Sequence, residues 1–172
     1  MSSKLRVMAL LLTALVAQVS ILTEFRIQGS SVELMLVVAI LAGFHGGPER
    51  GALVAFFAGL LQDSIMSAPL GLHALVFPPL AVAVSSLEQR MIRSTKLTDA
   101  VALLLAIACG MFMVAAVGLL FGLPPFDPAL LLVKALTVAA LTTAVAPPVN
   151  RAVRWAVLGG LPPEIRLRSA TS

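Results

Sequence analysis

Asp63 is the residue in this 172-residue chain whose type and setting could do chemistry, that of a carboxylate where water is scarce. It closes an apolar block in the segment Gly59-Leu-Leu-Gln-Asp63-Ser-Ile-Met-Ser-Ala-Pro69-Leu-Gly71-Leu-His73. A carboxylate deep in hydrocarbon costs on the order of 2.5–3.5 kcal/mol on insertion scales, so it needs a partner or water. Two readings fit. In one, Asp63 is a solvated interfacial group that caps the next turn. In the other, it holds an ordered outward-facing turn, shaped by Pro69 and Gly71, that a partner protein recognises. Lys134 and Glu33 lie toward the same side, and one cation with two carboxylates at similar depth predicts an intramembrane ion pair of Glu33, Asp63 and Lys134. Snorkelling of Lys134 to the outer surface is the competing reading.

Other chemistries find little support. His45 and His73 fall on opposite sides of the predicted bundle and cannot share a metal, so no metal site is expected. The single cysteine, Cys109, lies inside an apolar block and makes neither a disulfide within the chain nor a cysteine-based metal site. No serine is framed as an activated nucleophile, no aspartates are paired and no His-Glu zinc spacing occurs. Asp63 lacks the second carboxylate that proton-sharing acid catalysis needs. The chain is therefore read as non-catalytic, with no cofactor.

The elements that must position Asp63 are membrane helices. Hydrophobic residues make up 59% of the chain and charged ones 12%, too few charges to cover a soluble surface of this size. Four apolar blocks are long enough, or nearly so, to cross roughly 30 Å of hydrocarbon: 5–22, 71–87, 100–121 and 128–146. The first is longer than a signal-peptide core and has no clear cleavage site, so it is read as an uncleaved span. Two shorter blocks, 32–44 and 51–62, flank the helix-breaking stretch His45-Gly46-Gly47-Pro48-Glu49-Arg50. They form either two short spans or a re-entrant hairpin packed in protein. The adjacent Pro78 and Pro79 remove two backbone donors and predict a kink or break in the fourth span.

Charge orients these elements. Counting six spans, Lys4, Arg6, Arg50, Arg90, Arg93, Lys96, Arg151, Arg154, Arg166 and Arg168 share the side of the N-terminus, and only Arg26 lies opposite. That split places both termini in the cytoplasm. The net charge of +4 is then a matter of orientation and anionic headgroups, not of nucleic acid. Residues 1–150 form the predicted multi-pass membrane domain and 151–172 a basic cytoplasmic tail. Small residues at four-residue spacing (Gly43, Gly47, Gly51, Ala55 and Gly59; Ala102, Ala106 and Gly110; Ala135 and Ala139) allow close helix packing in lipid.

The run Gly46-Gly-Pro48-Glu-Arg50-Gly51-Ala-Leu-Val-Ala-Phe-Phe-Ala-Gly59-Leu-Leu-Gln-Asp63, followed by Ser67-Ala-Pro69-Leu70-Gly71-Leu72, resembles the bacterial rod shape-determining protein MreD family. Members have a Gly-Pro before the third span, a Gly-Leu-Leu-x-Asp close and a Pro-Leu-Gly-Leu start to the fourth. Gly59, Asp63, Pro69 and Gly71 match that pattern, and the resemblance implies a structural or partner-docking turn. Chain length, span number and cytoplasmic termini agree along the whole chain. The family's fourth span commonly continues through a Gly-Tyr-like pair, where this chain has Pro78-Pro79 and no tyrosine anywhere. The resemblance implies an all-α integral membrane bundle of about six helices, similar in fold to the substrate-binding components of energy-coupling-factor transporters. It also implies a scaffold of the bacterial cell-elongation machinery in the cytoplasmic membrane. There the chain would bind the periplasmic coiled-coil protein MreC and work with the MreB filament, the RodA glycosyltransferase and a class B penicillin-binding protein. The competing reading is a vitamin-binding subunit of an uptake transporter, for which 5% aromatic residues and short, nearly uncharged outer loops offer little.

Overall fold

The computed structural model describes residues 3–20, 33–66, 69–90, 96–125 and 127–158, and all regular structure among them is helical. The helices are α1 (Ser3–Ser20), α2 (Leu34–Ile65), α3 (Leu72–Arg90), α4 (Lys96–Leu120) and α5 (Pro128–Leu158). Arg26, Arg93, Arg166, Arg168 and the tail beyond residue 158 lie outside the described residues.

α2 folds back on itself. Gly47 leaves helical geometry at φ +76°, ψ 178°, immediately before Pro48, and divides α2 into arms 34–46 and 48–65. A Cβ added to Gly51 would lie 2.5 Å from the Gly43 Cα. In one straight helix those residues would be about 12 Å apart, so the arms are antiparallel neighbours. The short blocks on either side of the glycine-rich stretch are thus the two arms of a hairpin. Gly47, expected as part of a packing stripe, does a different job. Its added Cβ would meet nothing within 4 Å, and its positive φ makes the turn.

The first arm is the axis of the molecule. Every residue from Leu34 to Gly43 is buried, so this arm is apolar on all sides and covered on all sides. Around it stand Leu10 and Leu11 of α1, Phe77 and Leu80 of α3, Ile107 and Met111 of α4, and Ala135 and Val138 of α5. The α2–α3 interface is the most extensive, and glycine makes it close: a Cβ on Gly43 would strike the Ala81 backbone. Gly110 of α4 similarly admits the side chains of Leu80 and Leu36.

The outside is apolar too. Leu53, Phe56, Phe57 and Leu60 on the second arm, Val101 and Leu105 on α4, and Leu132, Val133 and Leu136 on α5 are all exposed. A surface of that kind is unfavourable in water and natural against lipid. Thr98–Leu120 and Pro128–Leu158 are each long and apolar enough to cross a membrane.

Two helices run through proline pairs. α3 is not broken at Pro78 and Pro79 but continues from Leu72 to Arg90. α5, whose apolar block ends at Ala146, runs through Pro147 and Pro148 to Leu158, so residues 151–158 of the predicted tail are helical. Proline's fixed φ is already helical, and its cost is confined to the missing N–H and the carbonyl four residues back. Burial on both sides of each pair (Phe77 and Leu80 in α3, Ala146 and Val153 in α5) holds the helix together across that local loss.

Candidate functional site: a buried carboxylate that caps two helices apart

The site is built from the ends of helices. The first N–H groups of any helix lack partners within it, and protein interior or lipid cannot supply the water that usually satisfies them. α3 starts at Leu72 behind Gly71, a capping position with no side chain to offer. Asp63, from the last turn of α2, takes over. Its Oδ2 accepts from the N–H groups of Gly71 (3.0 Å), His73 (3.1 Å) and Ala74 (3.2 Å), and Oδ1 also accepts from the His73 N–H (3.1 Å). His73 and Ala74 are the second and third helical residues, the two donors that an N-cap side chain ordinarily serves. The negative charge also faces the positive end of the helix dipole.

The His73 ring completes the arrangement. Its Nδ1 lies 2.6 Å from Asp63 Oδ1, and its ring packs edge-on against fully buried Phe77 at 5.4 Å between centroids. With every other contact to Asp63 coming from an N–H, the ring nitrogen donates as well, which fixes the tautomer. Asp63 is only 2% exposed, so this is an interior carboxylate and not a solvated one.

Gly59 and Gly71 make the arrangement possible. A Cβ at Gly59 would lie 2.5 Å from the carbonyl carbon and oxygen of His73, so only glycine lets α2 approach the start of α3 this closely. Gly71 sits at φ +98°, a conformation that side chains rarely adopt, and it aims its N–H at the carboxylate. The Pro69 carbonyl accepts from the Leu72 N–H at 3.2 Å and closes the turn. The structure therefore brings Gly59, Asp63, Pro69 and Gly71 together around one point.

Gln62, next to Asp63, performs the same service for a second helix through an intermediary. Its Oε1 accepts from Gln18 Nε2 of α1 (2.8 Å), and Gln18 Oε1 accepts from the Met35 N–H (3.1 Å). Met35 is the second residue of α2, whose capping residue Glu33 makes no side-chain cap bond. Two successive residues thus hold the starts of both α2 and α3. By contrast, the exposed start of α5 uses a local cap: Asp127 Oδ1 accepts from Ala129 at 2.9 Å beside Pro128. The buried starts of α2 and α3 thus draw their caps from another helix, and the exposed start of α5 makes its own.

Sequence reasoning missed Gln18, Gln62 and His73. Gln18 and Gln62 lie 44 residues apart, and no local spacing joins them. The available signal was chemical: each is an isolated amide in an apolar block, and such a group must find a partner. Gln18→Leu strips Gln62 and the Met35 N–H of their partners. It is expected to cost about 2–6 kcal/mol, at 1–3 kcal/mol for each of the two unmade bonds. Thermal unfolding in detergent measures this, with Thr13→Val on the exposed face of α1 as the reference; equal losses would leave Gln18 no capping role.

Lys134 stands apart from this cluster. Its side chain is exposed, and among the described residues the one ion pair within 4.0 Å is Asp63 with His73. Glu33 lies in the electrostatic field of both His73 and Lys134 without touching either. At the other end of the bundle His45 hydrogen-bonds Asn150, tying the α2 hairpin to α5. Among the described residues no three His, Cys, Asp or Glu side chains converge on a point that could hold a metal.

An apolar-surfaced helical bundle in which a buried carboxylate caps a neighbouring helix belongs to the class of membrane proteins built around packing. A family model described as rod shape-determining protein MreD matches residues 2–146. The chain belongs to that family, and with it to the membrane proteins that determine rod shape. No curated protein and no solved structure matched the chain.

Proposed function

We propose that this chain is a non-enzymatic scaffold subunit of the bacterial cell-elongation machinery. It crosses the cytoplasmic membrane six times with both termini inside, and it docks an MreC-like periplasmic coiled-coil protein. Through that partner it acts on the RodA glycosyltransferase and the class B penicillin-binding protein. The α2 hairpin supports six crossings, because its two arms add one pair of passes to the four other helices. The hairpin tip then carries Arg50 to the side of Arg6, Arg151 and Arg154, as the distribution of basic residues requires.

The observation that carries the docking role is the turn at Asp63. The carboxylate bonds the Gly71 N–H and the Pro69 carbonyl accepts from Leu72, and between Pro69 and Gly71 the Leu70 side chain stands 72% exposed. A large apolar side chain on an ordered outer tip is a surface that gains from being covered. Leu70→Glu is expected to abolish recovery of the coiled-coil partner from mild detergent, to leave the unfolding temperature unchanged, and to fail to restore rod shape in depleted cells. Full recovery of partner and shape by this variant would remove the turn as the docking point. No observation favours the vitamin-binding alternative.

A further inference from the structure

At the end of the bundle opposite Asp63, Arg6 of α1 lies against Trp155 of α5, with the guanidinium carbon 5.5 Å from the ring centroid. The Arg6 Nε is sealed from solvent and has no hydrogen-bond partner, yet the residue as a whole remains partly exposed. A pinned, partly dehydrated guanidinium ordinarily meets a carboxylate, because burial without a counter-charge is costly. Here it meets none: among the described residues the one ion pair is Asp63 with His73. The inner-end carboxylate that also has a buried oxygen without a partner, Asp99, is on α4, which makes no contact with α1. Stacking on Trp155 satisfies the face of the cation and leaves its in-plane donors to something else.

The surroundings indicate what that is. Arg151 precedes Trp155 by four residues and so shares its face of α5, one turn away, with an exposed side chain. Trp155 is itself 45% exposed, the posture of an indole at the headgroup level of a membrane. Two guanidinium groups and an indole on the α1–α5 seam match a phosphodiester, which accepts two-pronged bonds from arginine.

We propose that the α1–α5 seam at Arg6, Arg151 and Trp155 binds the phosphate headgroup of one anionic phospholipid. The leaflet is the inner one if the orientation proposed above holds, and the site itself is independent of the docking role. The lipid therefore serves as the counter-ion that the described residues do not supply, and it ties the first helix to the last.

Trp155 is the chain's only tryptophan, so its fluorescence reads this site directly. The full-length protein is reconstituted without partners in phosphatidylcholine vesicles, and brominated phosphatidylglycerol or brominated phosphatidylcholine is titrated in. Phosphatidylglycerol is expected to quench at lower mole fraction than phosphatidylcholine. Arg6→Gln should weaken its apparent affinity about five- to tenfold, from the roughly 1 kcal/mol that each basic contact contributes plus the lost two-pronged geometry. Arg151→Gln, at an exposed position, should act in the same direction even if the Arg6 variant folds poorly. Lys4→Gln should have little effect. Equal quenching by the two lipids, or a Lys4 variant as weak as the Arg6 variant, would overturn the site. Displacement of the brominated phosphatidylglycerol by millimolar inorganic phosphate would assign the seam to free phosphate and overturn the lipid. Loss of partner recovery in the Leu70 experiment bears on the docking proposal alone.

Discussion

Asp63→Ala is expected to destabilise the protein by on the order of 3–5 kcal/mol, because several buried donors lose their acceptor at once. The substitution takes an acceptor from three backbone N–H groups and one imidazole at once, in a place that water does not reach. Each donor left without a partner contributes about 1–3 kcal/mol, although the sum falls short of full additivity because the turn relaxes. Asp63→Asn keeps one carbonyl oxygen but turns an NH2 group toward donors, so its loss is intermediate. His73→Ala removes only the ring contact and leaves the three backbone bonds, so it costs least. Thermal unfolding in detergent should rank the three variants in that order. A His73→Ala loss equal to that of Asp63→Ala would mean that the ring contact, and not the helix cap, is what stabilises the turn.

Gly59→Ala carries the second large effect. The added methyl would sit 2.5 Å from the His73 carbonyl carbon and oxygen and 2.6 Å from the Ala74 nitrogen. These are backbone atoms, so no rotamer change relieves the clash, and α2 must move away from α3. Moving them apart also lengthens the Asp63 bonds, so one methyl group acts on packing and polar satisfaction together. The expected cost is about 3 kcal/mol, at the upper end for overpacking. Gly47→Ala is the informative contrast. It meets nothing within 4 Å but adopts φ +76°, ψ 178°, and its cost is the backbone term alone, about 1–3 kcal/mol. A Gly59→Ala protein as stable as Gly47→Ala would show that the helices part without penalty.

How much of this was legible in the sequence follows from the range of each interaction. Asp63, Pro69 and Gly71 stand within nine residues, and their types alone announce a turn around a carboxylate. The α2 hairpin was legible because Gly46-Gly47-Pro48 interrupts an apolar run, although whether it ended one span or bent within the protein depended on contacts that no local pattern contains. The Gln18–Gln62–Met35 relay was not legible, since it joins three segments through the tertiary fold. The reach of α5 past Ala146 was not legible for a related reason. A proline pair announces only its local cost, and the burial that offsets it comes from other helices.

The fully enclosed first arm of α2 has a consequence for how the chain enters the bilayer. Its thirteen residues make about 20 Å of helix, too short to hold a place across roughly 30 Å of hydrocarbon. Released from the ribosome after α1, it has no stable lipid-facing position of its own. Its start is capped by Gln18, but Gln18 is in turn oriented by Gln62, which emerges only with the second arm. Insertion of this segment is therefore expected to wait for its own hairpin partner, so that α1 and both arms of α2 enter as a unit and the remaining helices close around them.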